Sequence, residues 1–331
     1  MRALSKRRRK DLELKQIYAP IQKDLDKVKD TLKSISRIDY EWLSKQLNYI
    51  VSETGKGMRP ALTLLAGKLY HYNLTYLLPM SVSVELMHTA TLVHDDAIDK
   101  ASTRRGQVTI NSKWGDEIAI LMGDFLFAKA GEFVSDTQTP RVIKLFSQTL
   151  GIISSGEIGQ FRGAYNINQD RDSYYRRIYR KTGSLFSLAT QSGAILGKAP
   201  EESVAIMKEY ADNLGIAFQV VDDILDFTST AEALGKPVGS DLIQGTLTLP
   251  AIFIIERNPK DNPVGRFFKN RDKKDVAEAI DIVKNTGIIK ECYKIAGDYC
   301  EKACRNLKSL PDVESRRAFY DLAEFVIKQG M

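Results

Sequence analysis

The chain has 331 residues, 43% of them hydrophobic, and a formal net charge of +6. That length supports a large buried core, while no apolar run reaches the roughly 18–20 residues a membrane-spanning helix needs. The positive excess does not describe a nucleic-acid groove either. MRALSKRRRK carries six Lys/Arg and no acid, so residues 11–331 are balanced.

That basic start reads as a solvated tail over 1–16, followed by one domain over 17–331. The tail could touch anionic lipid, each basic residue being worth about 1 kcal/mol near a charged surface. It continues into DLELKQIYAP rather than an apolar stretch, so no secretory signal is read and a cytoplasmic protein, at most peripheral at a membrane, is expected. Nucleic acid is not an expected partner.

In chain order, MSVSVELMHTATLVHDDAID, EIAILMGDFLFAKAGEFV, RVIKLFSQTLGIISSGEIGQF, SLFSLATQSGAILG and VAIMKEYADNLGIAFQVVDDILDF place apolar residues at three- and four-residue intervals. TGKGMRP, HYNLTYLLP, DTQTP, GKAPEE, LGKPVG, RNPKDNP and SLPD break the pattern between them. No bounded run alternates as a strand would. The spacing predicts an all-α single domain whose inner helices are apolar around much of their circumference. Cys292, Cys300 and Cys304 fall late on a helix with no histidine nearby and read as reduced core residues.

Two clusters interrupt the apolar helices: Asp95, Asp96 and Asp99 in HDDAID, and Asp222, Asp223 and Asp226 in VDDILD. Both have the form D-D-x-x-D, which puts the outer carboxylates one turn apart on one helix face. Like charges there repel by a few tenths of a kcal/mol, and burying them unpaired costs far more. A hard cation resolves the conflict, since Mg²⁺ takes carboxylate oxygens together with water and substrate phosphates. One such motif matches by chance as a solvated helix end; two closing hydrophobic helices are a stronger signal.

Cations surround the clusters in sequence. Arg104 and Arg105 follow the first; TGKGMRP supplies Lys56 and Arg59, RKTGS supplies Lys181 and Thr182, and LGKPVGSD supplies Lys236. Singly, each lysine reads as an ordinary surface residue. As a set around metal-binding carboxylates they describe a polyphosphate site. No phosphate-binding G-x-x-x-x-G-K-[ST] loop follows a strand, so the phosphates belong to something other than a nucleotide, and the apolar walls point to a greasy substrate.

GKGMRP, ELMHTATLVHDDAIDKASTRRG, GEIGQ, RKTGSLF, FQVVDDILDF and GKPVGSDL, in this order and spacing, resemble the all-trans isoprenyl (polyprenyl) diphosphate synthases, long-chain bacterial members above all. The resemblance runs from about residue 17 to the C-terminus. It implies an antiparallel helix bundle around a deep central cavity, a homodimer, and three Mg²⁺ held between the aspartate motifs. It also implies the reaction: ionisation of an allylic diphosphate, attack by the double bond of isopentenyl diphosphate, and release of diphosphate.

Carried over by position, Asp95, Asp99 and Asp222 would bind metal, with Asp96, Asp223 and Asp226 beside them. Arg104, Lys181, Thr182, Gln219 and Lys236 would contact the allylic diphosphate. Lys56, Arg59, His88 and Arg105 would contact isopentenyl diphosphate. Two departures stand out. The usual G-G-K-[RK]-x-R-P has lost one glycine and one basic residue at Thr54–Pro60, and Gly245 occupies the place of a second lysine found in some short-chain members.

The growing product would run alongside the helix carrying Asp95. Thr91 and Ala90 lie about 6 and 7.5 Å before it along the axis, and both are small; Met87 is flexible. In the family such residues accompany long products, so a chain in the C30–C50 range typical of quinone side chains is expected, with Phe125 and Phe127 on the next helix as further limits. The alternatives are a farnesyl or geranylgeranyl synthase, a cyclase or head-to-head synthase, and a catalytic subunit dependent on a small partner chain.

Overall fold

The computed structural model describes residues 13–52, 55–104, 106–230 and 237–329. Among them the chain is almost wholly helical. Helices α1 (Gln22–Ser34), α2 (Glu41–Ser52), α3 (Met58–Gly67) and α4 (Leu74–Ile98) are followed by a two-residue-per-strand hairpin, β1 (Thr103–Arg104) and β2 (Gln107–Val108). Then come α5 (Ile110–Trp114), α6 (Asp116–Ser135), α7 (Pro140–Gly163), α8 (Arg171–Ile178), a π turn (Tyr179–Gly183), α9 (Ser184–Leu196) and α10 (Glu201–Thr228). The last part holds α11 (Ser240–Ile243), α12 (Leu249–Arg257), α13 (Pro263–Asn270), α14 (Lys273–Asn285), α15 (Ile288–Cys304) and α16 (Glu314–Lys328).

The periodic segments are the inner helices. α4 packs along α6 and on α3; α9 packs on α3, α4, α7 and α10; α10 packs on α15. α9 is buried on nearly every side, as its all-round apolar sequence requires. Tyr210 and Phe319 stack edge to face at 4.9 Å between α10 and α16, both fully buried. Each Leu, Ile or Phe side chain buried in this way contributes about 1.5–3 kcal/mol.

Local differences from the sequence pattern have physical causes. HYNLTYLLP is not a break throughout: Asn73 accepts a hydrogen bond from Thr75 N at 3.0 Å and starts α4 at Leu74, with Pro79 in the helix's second turn. The cap and the burial of Leu77 and Met80 outweigh the single backbone bond Pro79 cannot make. Residues 13–17 are helical, and Leu14, within the stretch expected to be tail, buries against the core together with Ile17. Residues 1–12 lie outside the described residues. Cys292 and Cys300 are buried and Cys304 half-buried, all as free thiols.

Candidate active site

The first acidic cluster closes α4. Asp95 and Asp96 are its last-turn residues; Asp99 follows as the C-cap, its N–H donating to Asp95 O at 2.8 Å. Lys100 then takes a left-handed conformation (φ 52°), which ends the helix and turns the chain into the hairpin. The hairpin brings Arg104 back onto the helix end, where Arg104 Nε donates to Asp96 Oδ1 at 2.8 Å. Burial pushes the Asp96 carboxyl up, against the pull of Arg104.

The second cluster lies in the last turns of α10. Asp222 is exposed, whereas Asp223 and Asp226 are buried. Asp226 is fastened downstream: Ser240 Oγ donates to its Oδ1 at 2.9 Å and Asp241 N to its Oδ2 at 3.2 Å. Asp223 accepts from Tyr174 Oη at 2.7 Å and from Gln219 Nε2 at 3.0 Å. Burial, with Asp241's charge adding to it, nonetheless pushes the Asp223 carboxyl up to about 7.

A π turn joins the two walls. α8 and α9 would be one helix but for the wide turn Tyr179–Gly183, and this turn carries Lys181 and Thr182. Such turns recur at functional sites because the inserted residue redirects side chains. Two glycines let neighbouring helices approach it. A Cβ on Gly156 of α7 would lie 2.9 Å from Arg180 Cβ, and one on Gly215 of α10 would lie 2.6 Å from Gly183 Cα. The approach on the α7 side sets Lys181 Nζ 3.0 Å from Glu157 Oε1; the same ammonium is 3.3 Å from Asp95 Oδ2. The approach on the α10 side lets Thr182 Oγ1 donate to Gln219 Oε1 at 2.7 Å. Burial alone would lower the Lys181 pKa, but Asp95 and Glu157 hold the ammonium well above its ordinary value.

The walls therefore face one space. Asp241 lies within electrostatic reach of both Asp99 and Asp223. Although Asp99 is exposed at the helix end, desolvation by the protein around it is the first cause of its raised pKa, and Asp95 and Asp241 raise it further against Lys181 and Arg104. Among the described residues no three carboxylates, imidazoles or thiolates already form a metal cage. The donor set nonetheless fits Mg²⁺: hard carboxylate oxygens that repel one another, in a site where substrate phosphates would complete the coordination.

The remaining sequence candidates fall as follows. His88 lines a cavity with Glu85, Asp96, Arg104 and Gly55, next to Lys56 in the chain. Lys56 Nζ donates to Gln329 Oε1 at the end of α16 and lies 5.5 Å from the Phe325 ring centroid. The Arg59 guanidinium sits 5.1 Å from the Phe186 ring centroid on α9. Arg105 and Lys236 lie outside the described residues. Gly245 has φ 82°, and a Cβ there would meet the Tyr165 ring at 2.7 Å, so a lysine has no room in that backbone.

The product-length positions divide. Ser83 Oγ donates to Ala130 O, and His94 Nε2 lies 2.9 Å from Ile120 O, both on α6. Met87 and Ala90 share the Ser83–His94 stripe and are fully buried, so they face α6 rather than the Asp95 side. Thr91, one turn before Asp95, is the small half-buried residue on the site's own face, its hydroxyl donating to His88 O at 2.7 Å. Phe127 stacks edge-on to His94 at 5.5 Å between the same two helices.

Residues 40–285 match the family model described as polyprenyl synthetase. The chain belongs to the polyprenyl synthetase family. The synthase is 36% identical over 318 residues to a protein named heptaprenyl diphosphate synthase component 2 from Geobacillus stearothermophilus, covering 96% of this chain and 99% of that one. It is 35% identical over 330 residues to chloroplastic solanesyl diphosphate synthase 2 of Arabidopsis thaliana, covering 97% and 78%. The crystal structure of heptaprenyl diphosphate synthase from Staphylococcus aureus superposes with a TM-score of 0.90 at 33% identity, covering 94% of this chain and 99% of that one. The synthase is a trans-prenyltransferase of all-α fold, and its relatives include proteins named heptaprenyl and solanesyl diphosphate synthases.

Sequence reasoning passed over three residues that build the site. Glu157 lay in the quoted GEIGQ but was given no role. Tyr174 sits in the polar run RDSYYRRIYRK, where apolar periodicity has nothing to report. Ser240 is joined to Asp226 only by the fold.

Proposed function

We propose that the synthase elongates an allylic diphosphate with isopentenyl diphosphate to an all-trans polyprenyl diphosphate in the C30–C50 range. The observation that carries this is the single turn in which Lys181 reaches Asp95 while its neighbour Thr182 reaches Gln219 beside the second cluster. One space thus gathers carboxylates from two helices, a cation, and hydroxyl and amide oxygen atoms.

Each residue has a task there. Asp95, Asp99 and Asp222 would hold Mg²⁺, which when bound neutralises the diphosphate leaving group. Lys181 and Arg104 take phosphate oxygens and offset the charge that develops as the C–O bond breaks. Asp96 and Glu157 hold those two cations in place. The hydroxyl proton of Thr182 is committed to Gln219, so Thr182 and Gln219 turn oxygen lone pairs, not donors, toward the allylic carbon as it becomes positive. Lys56, Arg59 and His88 orient isopentenyl diphosphate for attack, and the released diphosphate removes the proton.

Two features bear on assembly. Ile120 and Leu121 on α6 and Ile158 and Phe161 on α7 are exposed, which supports a homodimer covering that face. The relatives named component 2 favour a second reading, a catalytic subunit that needs a partner chain. Purified protein, Mg²⁺, labelled isopentenyl diphosphate and a series of primers test both, with products sized by mass. Long-chain product from this chain alone supports the first reading; product only after a small partner chain is added supports the second; no elongation in either case rejects the synthase assignment.

A further inference from the structure

Tyr174 is fully buried on α8, and its hydroxyl is spent on one atom, Asp223 Oδ2, at 2.7 Å. The other oxygen of Asp223 accepts from Gln219 Nε2 at 3.0 Å, and Gln219 Oε1 accepts from Thr182 Oγ1 at 2.7 Å. These three bonds form one directed chain. In the ionised form that both donors favour, Asp223 only accepts, so the Gln219 atom facing it is the amide nitrogen. That leaves the amide oxygen for Thr182, which must then donate. Each choice follows from the one before it, and the first depends on Asp223 staying in place as an acceptor.

We propose that Tyr174 is a positioning residue: by holding Asp223 it fixes the polarity of the Gln219–Thr182 pair, so that lone pairs and no N–H or O–H face the reacting carbon. This rests on the prenyl-transfer reading above. Arg177 braces the phenol from behind, its guanidinium 5.6 Å from the Tyr174 ring centroid and its Nη1 donating to Gln169 Oε1 at 2.6 Å. Burial lowers the Arg177 pKa, and Asp223 opposes that loss. Without the phenol, Asp223 keeps one partner and can rotate, and the Gln219 amide can turn its nitrogen toward Thr182. The hydroxyl proton of Thr182 would then be aimed at a centre gaining positive charge.

Neighbouring carboxylates of one D-D-x-x-D motif thus take two different roles. Asp222 is exposed, whereas Asp223, with both oxygens taken by protein donors, is buried and holds the walls together.

The test is a double-mutant cycle of Tyr174→Phe and Thr182→Val in the full-length enzyme, read by single-turnover elongation, KM for each diphosphate, Mg²⁺ titration and thermal melting. Tyr174→Phe is expected to lower the elongation rate about tenfold, with both KM values and the Mg²⁺ midpoint within about twofold. In the Thr182→Val background the same change is expected to cost less than about twofold, since the group whose polarity it sets is gone. A rate unchanged in Tyr174→Phe, effects that simply multiply, or a shifted Mg²⁺ midpoint would each overturn the proposal. Should Tyr174→Phe not fold, Asp223→Asn takes its place in the cycle with the same expected non-additivity, and multiplying effects there reject it. Wild-type enzyme that elongates no primer in this assay, alone or with a small partner chain added, rejects the synthase reading itself, a result distinct from an indifferent Tyr174→Phe.

Discussion

The ammonium of Lys181 lies between Asp95 on α4 and Glu157 on α7, 3.3 and 3.0 Å from their carboxylates. It is thus a counter-charge already in place on the Asp95 side of the candidate site, for which an incoming diphosphate would compete. Replacing Lys181 with Met is expected to lower kcat by about 10²–10³, the size of losing one preorganised group that meets developing charge. Steady-state kinetics with a fixed primer checks this, and Lys181→Arg, which keeps the charge, is expected to recover part of the rate.

Chelation and ligand addition should move stability as well as activity. With substrate diphosphate at about 100 times its dissociation constant, binding adds about 2.7 kcal/mol to the folded state. In a chain of this size that is a rise of a few degrees in Tm. The rise should need Mg²⁺ and vanish with EDTA. In Asp95→Asn it should shrink while the apo Tm stays near wild type, because relief of the repulsion with Asp99 and Glu157 offsets the lost attraction to Lys181.

Gly215→Ala tests the close approach of α10 to the π turn. The added methyl would lie 2.6 Å from Gly183 Cα, so backbone must yield. Overpacking of this kind costs about 1–3 kcal/mol. The displacement falls between Thr182 and Gln219, so the elongation rate should drop together with Tm. A variant with normal rate and lowered Tm would uncouple that contact from the chemistry.

Product length should respond to position 91 more cleanly than to position 90. Thr91→Phe places a ring on the Asp95 face one turn below the carboxylate and is expected to shift products to shorter chains with little change in Tm. Ala90→Phe must force a ring between α4 and α6, where Ala90 has no exposed surface, and is expected to lower Tm by several degrees. Mass analysis of products beside melting curves distinguishes the two.

The helical class and both aspartate clusters were legible because periodicity and motif spacing are local properties. His88 was legible too, since seven residues on a helix bring it back to the face of Asp95. Glu157, Tyr174 and Ser240 were not. Each acts on a partner remote in sequence, and a polar residue within a polar run leaves no trace of which partner it will meet. Ala90 is near Asp95 in sequence, and the fold buries it fully beside α6.

By itself, the sequence determined which residue types could neutralise and ionise a diphosphate, because apolar period, acidic pairs and flanking cations are written along single helices. Only the tertiary structure decided how those residues divide the work. Whether a carboxylate stays exposed, as Asp222 does, or is claimed by protein donors, as Asp223 is, depends on which side chains the neighbouring helices bring against α10. Hydrogen-bond direction follows from that three-dimensional approach, not from spacing along the chain.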